Sequence, residues 1–277
     1  TIQEIMKEKH VVIIGAGLGG LECGYILAKN GMKVTVLERE AQVGGCLQTF
    51  RRGAALFDTG FHYVGALGEG ESLHTLFSYF DLMSLPWKKL DEDCFDEVVI
   101  GEDAFAFANK HQRFYERMSA RFPKEREGLK KYVDFLKQVG DHIFDSFNLQ
   151  NEGTFTNSLF ARSAYEFLNE TIKDPLLRKV LSGTSLKMEL NAPTLPLYTF
   201  AQINDSFIRS AWRLRGGGMQ IADKLVGGIQ TMGGEVKTRT IVTYIKEEGG
   251  KVVGVTVNDE DYLEADWIIS STQPAYT

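Results

Sequence analysis

The residues with the most legible chemistry stand six in a row. Gly15-Ala16-Gly17-Leu18-Gly19-Gly20 has the spacing G-x-G-x-x-G. The first glycine of that pattern permits a tight turn, the second lets a pyrophosphate approach the backbone, and the third lets a helix pack closely on a strand. Such a turn means little alone, so its neighbours decide. His10-Val11-Val12-Ile13-Ile14 before it is a short apolar run rich in β-branched residues, the pattern of a strand buried on both faces of a parallel sheet. Leu21 to Asn30 after it predicts a helix stopped by Gly31, and Lys33-Val34-Thr35-Val36-Leu37 predicts a second strand. The helix N-terminus offers free N–H groups and a positive dipole to phosphate. Glu38 closes the second strand, where a carboxylate accepts hydrogen bonds from adenosine ribose hydroxyls and repels a 2′-phosphate.

The following residues extend the site. Arg39 comes next, then Val43-Gly44-Gly45-Cys46-Leu47-Gln48-Thr49 and Phe57-Asp58-Thr59-Gly60-Phe61-His62. A glycine pair soon after the second strand lets backbone approach the far part of a cofactor too long for one βαβ unit. A plain NAD dehydrogenase would proceed to further strands instead. On these residues the chain resembles the FAD-dependent superfamily of phytoene desaturases and amine oxidases, in which the dinucleotide motif is followed by VGGxxxT and a D-x-G strand. GGCLQTF and FDTGFHYVG are most similar to the retinol saturase branch of the carotenoid desaturase family. That branch typically has Cys, here Cys46, where the others more often have Arg.

The resemblance implies FAD as cofactor, bound by Gly15, Gly17, Gly20, Glu38, Arg39, Gly44, Gly45, Gly60, His62 and Val242. Ile241-Val242 matches a segment that meets the adenine through its main chain. It also implies a small hydrophobic polyene substrate, a retinoid or carotenoid-like isoprenoid, with hydride transfer at flavin N5 to or from its C=C/C–C bonds. No side chain is singled out as catalytic. His62 follows Gly60 closely, and the remaining histidines His74, His111 and His142 show no ligand spacing. In flavin chemistry the protein supplies placement and electrostatics.

These residues need a scaffold. A chain of 277 residues suggests roughly two domains. The expected class is α/β: a FAD-binding, Rossmann-like parallel sheet with a β-meander insertion, plus a helix-rich substrate or cap region. Residues 9–65 and 209–277 form the expected FAD-binding domain. In its later part Gly216-Gly217-Gly218 precedes a helix over Ile221 to Met232. Strands are expected at Glu235–Lys237, Ile241–Ile245, Gly250–Val257, Tyr262–Glu264 and Asp266–Ser270. Residues 66–208 form the expected cap. There Leu129, Tyr132, Val133, Leu136, Val139 and Ile143 recur at three and four, an amphipathic helix. Val98–Ile100 and Phe105–Phe107 predict a two-strand insert, while Asp174-Pro175 and Pro193 to Pro196 read as breaks.

Composition removes other classes. A net charge of −6 disfavours a nucleic-acid partner. Three cysteines with no CxxC pair give neither a disulfide framework nor a metal site and suggest a reducing, cytoplasm-like compartment. The N-terminus has no signal-peptide pattern, and Val11 to Ala28 is too interrupted by glycines and Glu22 to span lipid. Lys110 to Lys131 holds eight Lys/Arg against three Glu, a solvated helical face or a peripheral membrane contact. The sequence specifies no oligomeric state. The chain stops before a later glycine-rich flavin contact of the resembled family, so it reads as an N-terminal portion, expected by itself to hold FAD weakly and to be inactive. Two other readings are an amine-oxidase-like flavoprotein and a flavin-free, prenyl-binding relative of GDP-dissociation inhibitors.

Overall fold

The computed structural model describes residues 9–144, 154–189 and 191–276; the N-terminal segment considered above for a signal lies largely outside them. In chain order the elements begin β1 (His10–Ile14), α1 (Leu18–Lys29), β2 (Lys33–Leu37), β3 (Thr49–Arg52) and β4 (Ala55–Asp58). There follow β5 (Val64–Gly65), α2 (Ser72–Tyr79), β6 (Trp87–Lys89), β7 (Asp96–Ile100), β8 (Asp103–Phe107), α3 (His111–Arg121) and α4 (Arg126–Asp141). Then come α5 (Thr154–Phe160), α6 (Ala164–Thr171), α7 (Pro175–Leu181), α8 (Leu197–Arg209) and β9 (Ala211–Leu214). The last are α9 (Met219–Thr231), β10 (Glu235–Lys237), β11 (Val242–Glu248), β12 (Lys251–Val257), β13 (Asp261–Glu264) and β14 (Trp267–Ser270).

Contacts divide the chain into two units: 1–62 with 77–86 and 214–277, and 63–76 with 87–213. The first is built on a four-stranded parallel sheet in the order β10-β2-β1-β14. Val11, Val12 and Ile13 of β1 are fully buried, as a strand with helix or sheet against both faces must be. Helices α1 and α9 cover one face. The antiparallel meander β11-β12-β13 packs through Val255 and Val257 toward Val12 and Leu37. This is the α/β class expected, with the meander inserted between two strands of the parallel sheet. Residues 77–86, which the sequence assigns to the insert, cluster with the first unit because Tyr79 and Phe80 pack edge-on against Tyr25 of α1.

The second unit is mainly helical. Leu129, Tyr132, Val133, Leu136 and Val139 of α4 are buried on one face, inside an aromatic core with Phe114, Phe167 and Phe200. Ile143 lies beyond the end of α4 at Asp141. Asp174-Pro175 begins a helix rather than ending one. The Asp174 carboxylate accepts the Leu176 and Leu177 N–H groups as N-cap, and Pro175 sits where its missing N–H costs nothing. The excess of positive charge in 110–131 is largely matched in place. Arg113 and Arg117 meet Glu92 and Asp93, Arg121 meets Asp103, Lys130 meets Asp134 and Lys110 meets Glu71. Those acids lie outside the segment and offset its local surplus, so it is a salt-bridged helical face and not an unbalanced cationic one. Among the described residues no helix is long and apolar enough to cross a membrane.

Candidate functional site

The N-terminal glycine loop lies between the end of β1 and the start of α1. Gly15 takes φ +99°, a turn L-residues resist, and its N–H donates to Leu37 O at 2.8 Å. Gly20 is fixed by contact: a Cβ there would stand 2.0 Å from the Gly15 carbonyl oxygen. Gly17 is the opposite, since a Cβ would meet nothing within 4 Å. It is the N-cap of α1, with no side-chain cap and no acid in the first turn. The helix therefore presents backbone N–H groups that no side chain has claimed.

Two further segments hold this loop. The Glu38 carboxylate accepts the Ala16 N–H through Oε2 and the Glu40 N–H through Oε1, each at 2.9 Å. Each oxygen keeps a lone pair for a hydroxyl donor. Gly44 and Gly45 both adopt positive φ, +103° and +54°. The turn they make brings Gly44 N–H to Ala16 O at 2.7 Å and pairs Gly44 with Gly17 in a parallel bridge. A Cβ on Gly45 would sit 3.3 Å from the Gly17 Cα. The glycine pair is thus a clamp on the first loop.

These pieces line one groove of about 930 Å³. Gly15, Gly17, Glu38, Arg39, Gly45 and Val242 all reach it. Arg39 is exposed and pairs with Glu40 at 3.1 Å. Gly20 and Gly44 buttress the groove without lining it, Gly44 by lying against Ala222 and Met219 of α9. Gly60 and His62 stand elsewhere. Gly60 abuts the Cys46 carbonyl, and His62 is exposed. A cradle open at Gly17, an uncapped helix terminus and a fixed carboxylate at the strand end fit a dinucleotide: phosphates at the loop, adenosine between Glu38 and the start of β11.

Two side-chain ties hold this region from across the fold, and a third buried contact lies within β1. Ser271, just after β14, donates through Oγ to Ile14 O and Gly15 O at 3.2 and 3.1 Å, and Thr272 shares the groove wall. Gly15 is 256 residues away from it in the chain, so no local pattern could mark the pair. Asp58 accepts the Gly218 N–H at 2.6 Å, at the N-terminus of α9, which gives the D-x-G motif a capping role. His10 is buried within β1. Its Nδ1–H donates to Glu264 O at 2.7 Å, a carbonyl that can only accept, so Nε2 accepts from Thr35 Oγ1 at 2.9 Å. Burial holds its pKa below the ordinary 6.5.

Comparison with known proteins places the chain among flavoproteins. The model of a family described as flavin containing amine oxidoreductase matches residues 18–275. The chain is 29% identical over 293 residues to the all-trans-retinol 13,14-reductase of Danio rerio, covering 96% of this chain and 48% of that protein. It is 24% identical over 287 residues to a lycopene-forming phytoene desaturase of a Paracoccus species, covering 95% and 54%. The chain thus spans about half the length of the curated relatives it matches. The crystal structure of an oxidoreductase from Methanosarcina mazei superposes with a TM-score of 0.66 at 22% identity, over 94% of this chain and 58% of that one.

Proposed function

Because the chain belongs to the flavin containing amine oxidoreductase family, we propose that it is the FAD-binding part of an oxidoreductase acting on the C=C/C–C bonds of a conjugated isoprenoid. FAD is the cofactor. The observation that carries the reading is the single groove formed by Gly15, Gly17, Glu38, Gly45 and Val242. Its relatives by sequence include retinol reductases and phytoene desaturases, which supports a small hydrophobic polyene as substrate.

The chain's own groups have distinct tasks. The open face of Gly17 and the first-turn N–H groups of α1 receive the pyrophosphate, where the helix dipole favours negative charge. Glu38 accepts the ribose hydroxyls, and its charge excludes a 2′-phosphate. Main-chain groups at Ile241-Val242 bound the adenine. Gly44-Gly45 carries the chain away from the loop toward the far part of the cofactor, with Gly60 and His62 assigned to that end. The chemistry that FAD supplies when bound is two-electron hydride transfer at N5. The protein's part is to exclude water and to orient the polyene.

The test uses the intact protein. Its absorption spectrum and extracted cofactor should identify FAD, and incubation with a retinoid or carotenoid should shift the polyene absorption band with a mass change of two hydrogens. A colourless intact protein, or peroxide release from amines with polyenes untouched, overturns the reading.

A further inference from the structure

The wall of the groove holds one aromatic ring to which the flavin reading gives no task. Tyr244 of β11 lines the groove and is 62% exposed. Among the described residues its hydroxyl has no hydrogen-bond partner and its ring no aromatic neighbour. Tyr262, in register with it through Thr256 of β12, is the opposite. The Tyr262 hydroxyl donates to Val253 O at 2.9 Å, and its ring lies over Gly254, where a Cβ would stand 2.5 Å from the hydroxyl oxygen. The meander uses one tyrosine and leaves the other open.

A bulge sets the open ring outward. Val242 pairs with Val257 and Tyr244 with Thr256, so β11 advances two residues where β12 advances one. Val242 and Ile245 both pack toward the core of Val12, Leu37 and Val255, although strict alternation would put residues three apart on opposite faces. The extra residue keeps both in the core and turns Tyr244 away from it. Bulges that re-aim a side chain in this way recur next to active sites.

The place is the adenosine end of the groove. The strand enters from Thr240, whose N–H donates to Glu38 O at 2.8 Å. Ile241 is 50% exposed along the same wall. Two extended residues separate Tyr244 from Val242 by about 6–7 Å, a span that a tyrosine side chain covers. A flat apolar group held at Val242 therefore lies within reach of the ring.

We propose that Tyr244 stacks on the adenine base of the cofactor, closing the face that Ile241 and Val242 leave open. The inference rests on the flavin reading for the identity of the ligand. Stacking uses the face of the ring and not its hydroxyl, so a phenylalanine serves as well.

The experiment titrates the intact protein, depleted of flavin, with ADP and with FAD. Tyr244→Ala should weaken both about tenfold at an unchanged melting temperature, while Tyr244→Phe binds both as the wild type does. Tyr244→Trp supplies a signal that a merely structural role would not move. Its indole emission, measured against the wild type as baseline, should be quenched by ADP. Three results overturn the proposal. Equal binding of ADP and FAD by the wild type and Tyr244→Ala would take the ring off the base and leave the flavin reading intact. An added indole emission insensitive to ADP would do the same, placing the ring against another part of the protein. A wild type that binds neither ADP nor FAD would remove the ligand and the ring together.

Discussion

The two units solve the problem of buried polarity in opposite ways. In the first, the site is made almost wholly of backbone: glycine turns, a helix terminus and one carboxylate held by two N–H groups. In the second, side chains do the joining. Asp205, almost fully buried, accepts from His111 at 2.6 Å and from Arg209, which also reaches Asp141 at 2.7 Å. Burial alone would raise the Asp141 carboxyl, but Lys137 and Arg209 outweigh it and hold it low. Tyr63, Asp96 and Lys187 form a similar knot, in which burial and the Asp96 charge push the Tyr63 phenol up. A backbone site leaves room for a ligand. A side-chain network fills its room and fixes helices.

The difference predicts where substitutions hurt. The largest effect should come from Asp205→Ala, which leaves Arg209 and His111 facing a missing charge. The cost should be about 3–5 kcal/mol, read from denaturant unfolding, and a loss under about 1 kcal/mol would show that the network adds little. Next come two glycines of one loop with opposite surroundings. Gly20→Ala must move backbone and should cost about 1–3 kcal/mol, while Gly17→Ala should leave the melting temperature nearly unchanged yet weaken FAD retention. Equal stability losses at the two positions would erase the distinction between buttress and cradle. Glu38→Ala should then weaken FAD binding by about tenfold, near 1.4 kcal/mol, measured by flavin content of the intact protein. Unaltered content would remove Glu38 from the adenosine site.

The smallest effect is a pH slope. His10 has its pKa lowered by burial, so it folds neutral while the unfolded chain takes up a proton below about 6.5. Its contribution is present above that value and is lost as pH falls toward the folded pKa. Unfolding free energy should decline through this window, and His10→Gln should flatten the decline. A slope unchanged by the substitution assigns it to other groups.

The same contrast explains what could be read in advance. The strands His10–Ile14 and Lys33–Leu37 fall where the sequence predicts them, because both-face burial imposes a local apolar run, and the edge strand Glu235–Lys237 also falls where expected although only Val236 in it is even half-buried. The helix α1 begins earlier than predicted, at Leu18, since glycines that look like loop also form its first turn. Strands β5, β6 and β9 leave no signal in the sequence. They are very short and pair segments from widely separated parts of the chain, so no alternation develops. Of the site, Gly15, Gly17, Glu38 and Gly45 are legible through spacing. Ser271 and the tie from Asp58 to Gly218 are not, because they are contacts across the fold. Gly60 and His62 rest on resemblance and lie outside the groove.

One pairing has a consequence for how the chain is made. Strand β1 is sealed on one edge by β2, which follows it after a single helix, but on the other by β14, at Val11 with Trp267. During synthesis at roughly 5–20 residues per second, that second edge stays open for on the order of 10–50 s. Until Ser271 emerges, the turn at Gly15 also lacks the hydroxyl that grips its carbonyl. The nascent protein therefore carries an apolar strand with an unpaired edge until Trp267 to Ser270 have been made. A polypeptide-holding chaperone would find its target at His10–Ile14 rather than in the helical unit, which can bury its aromatics as soon as α8 is complete.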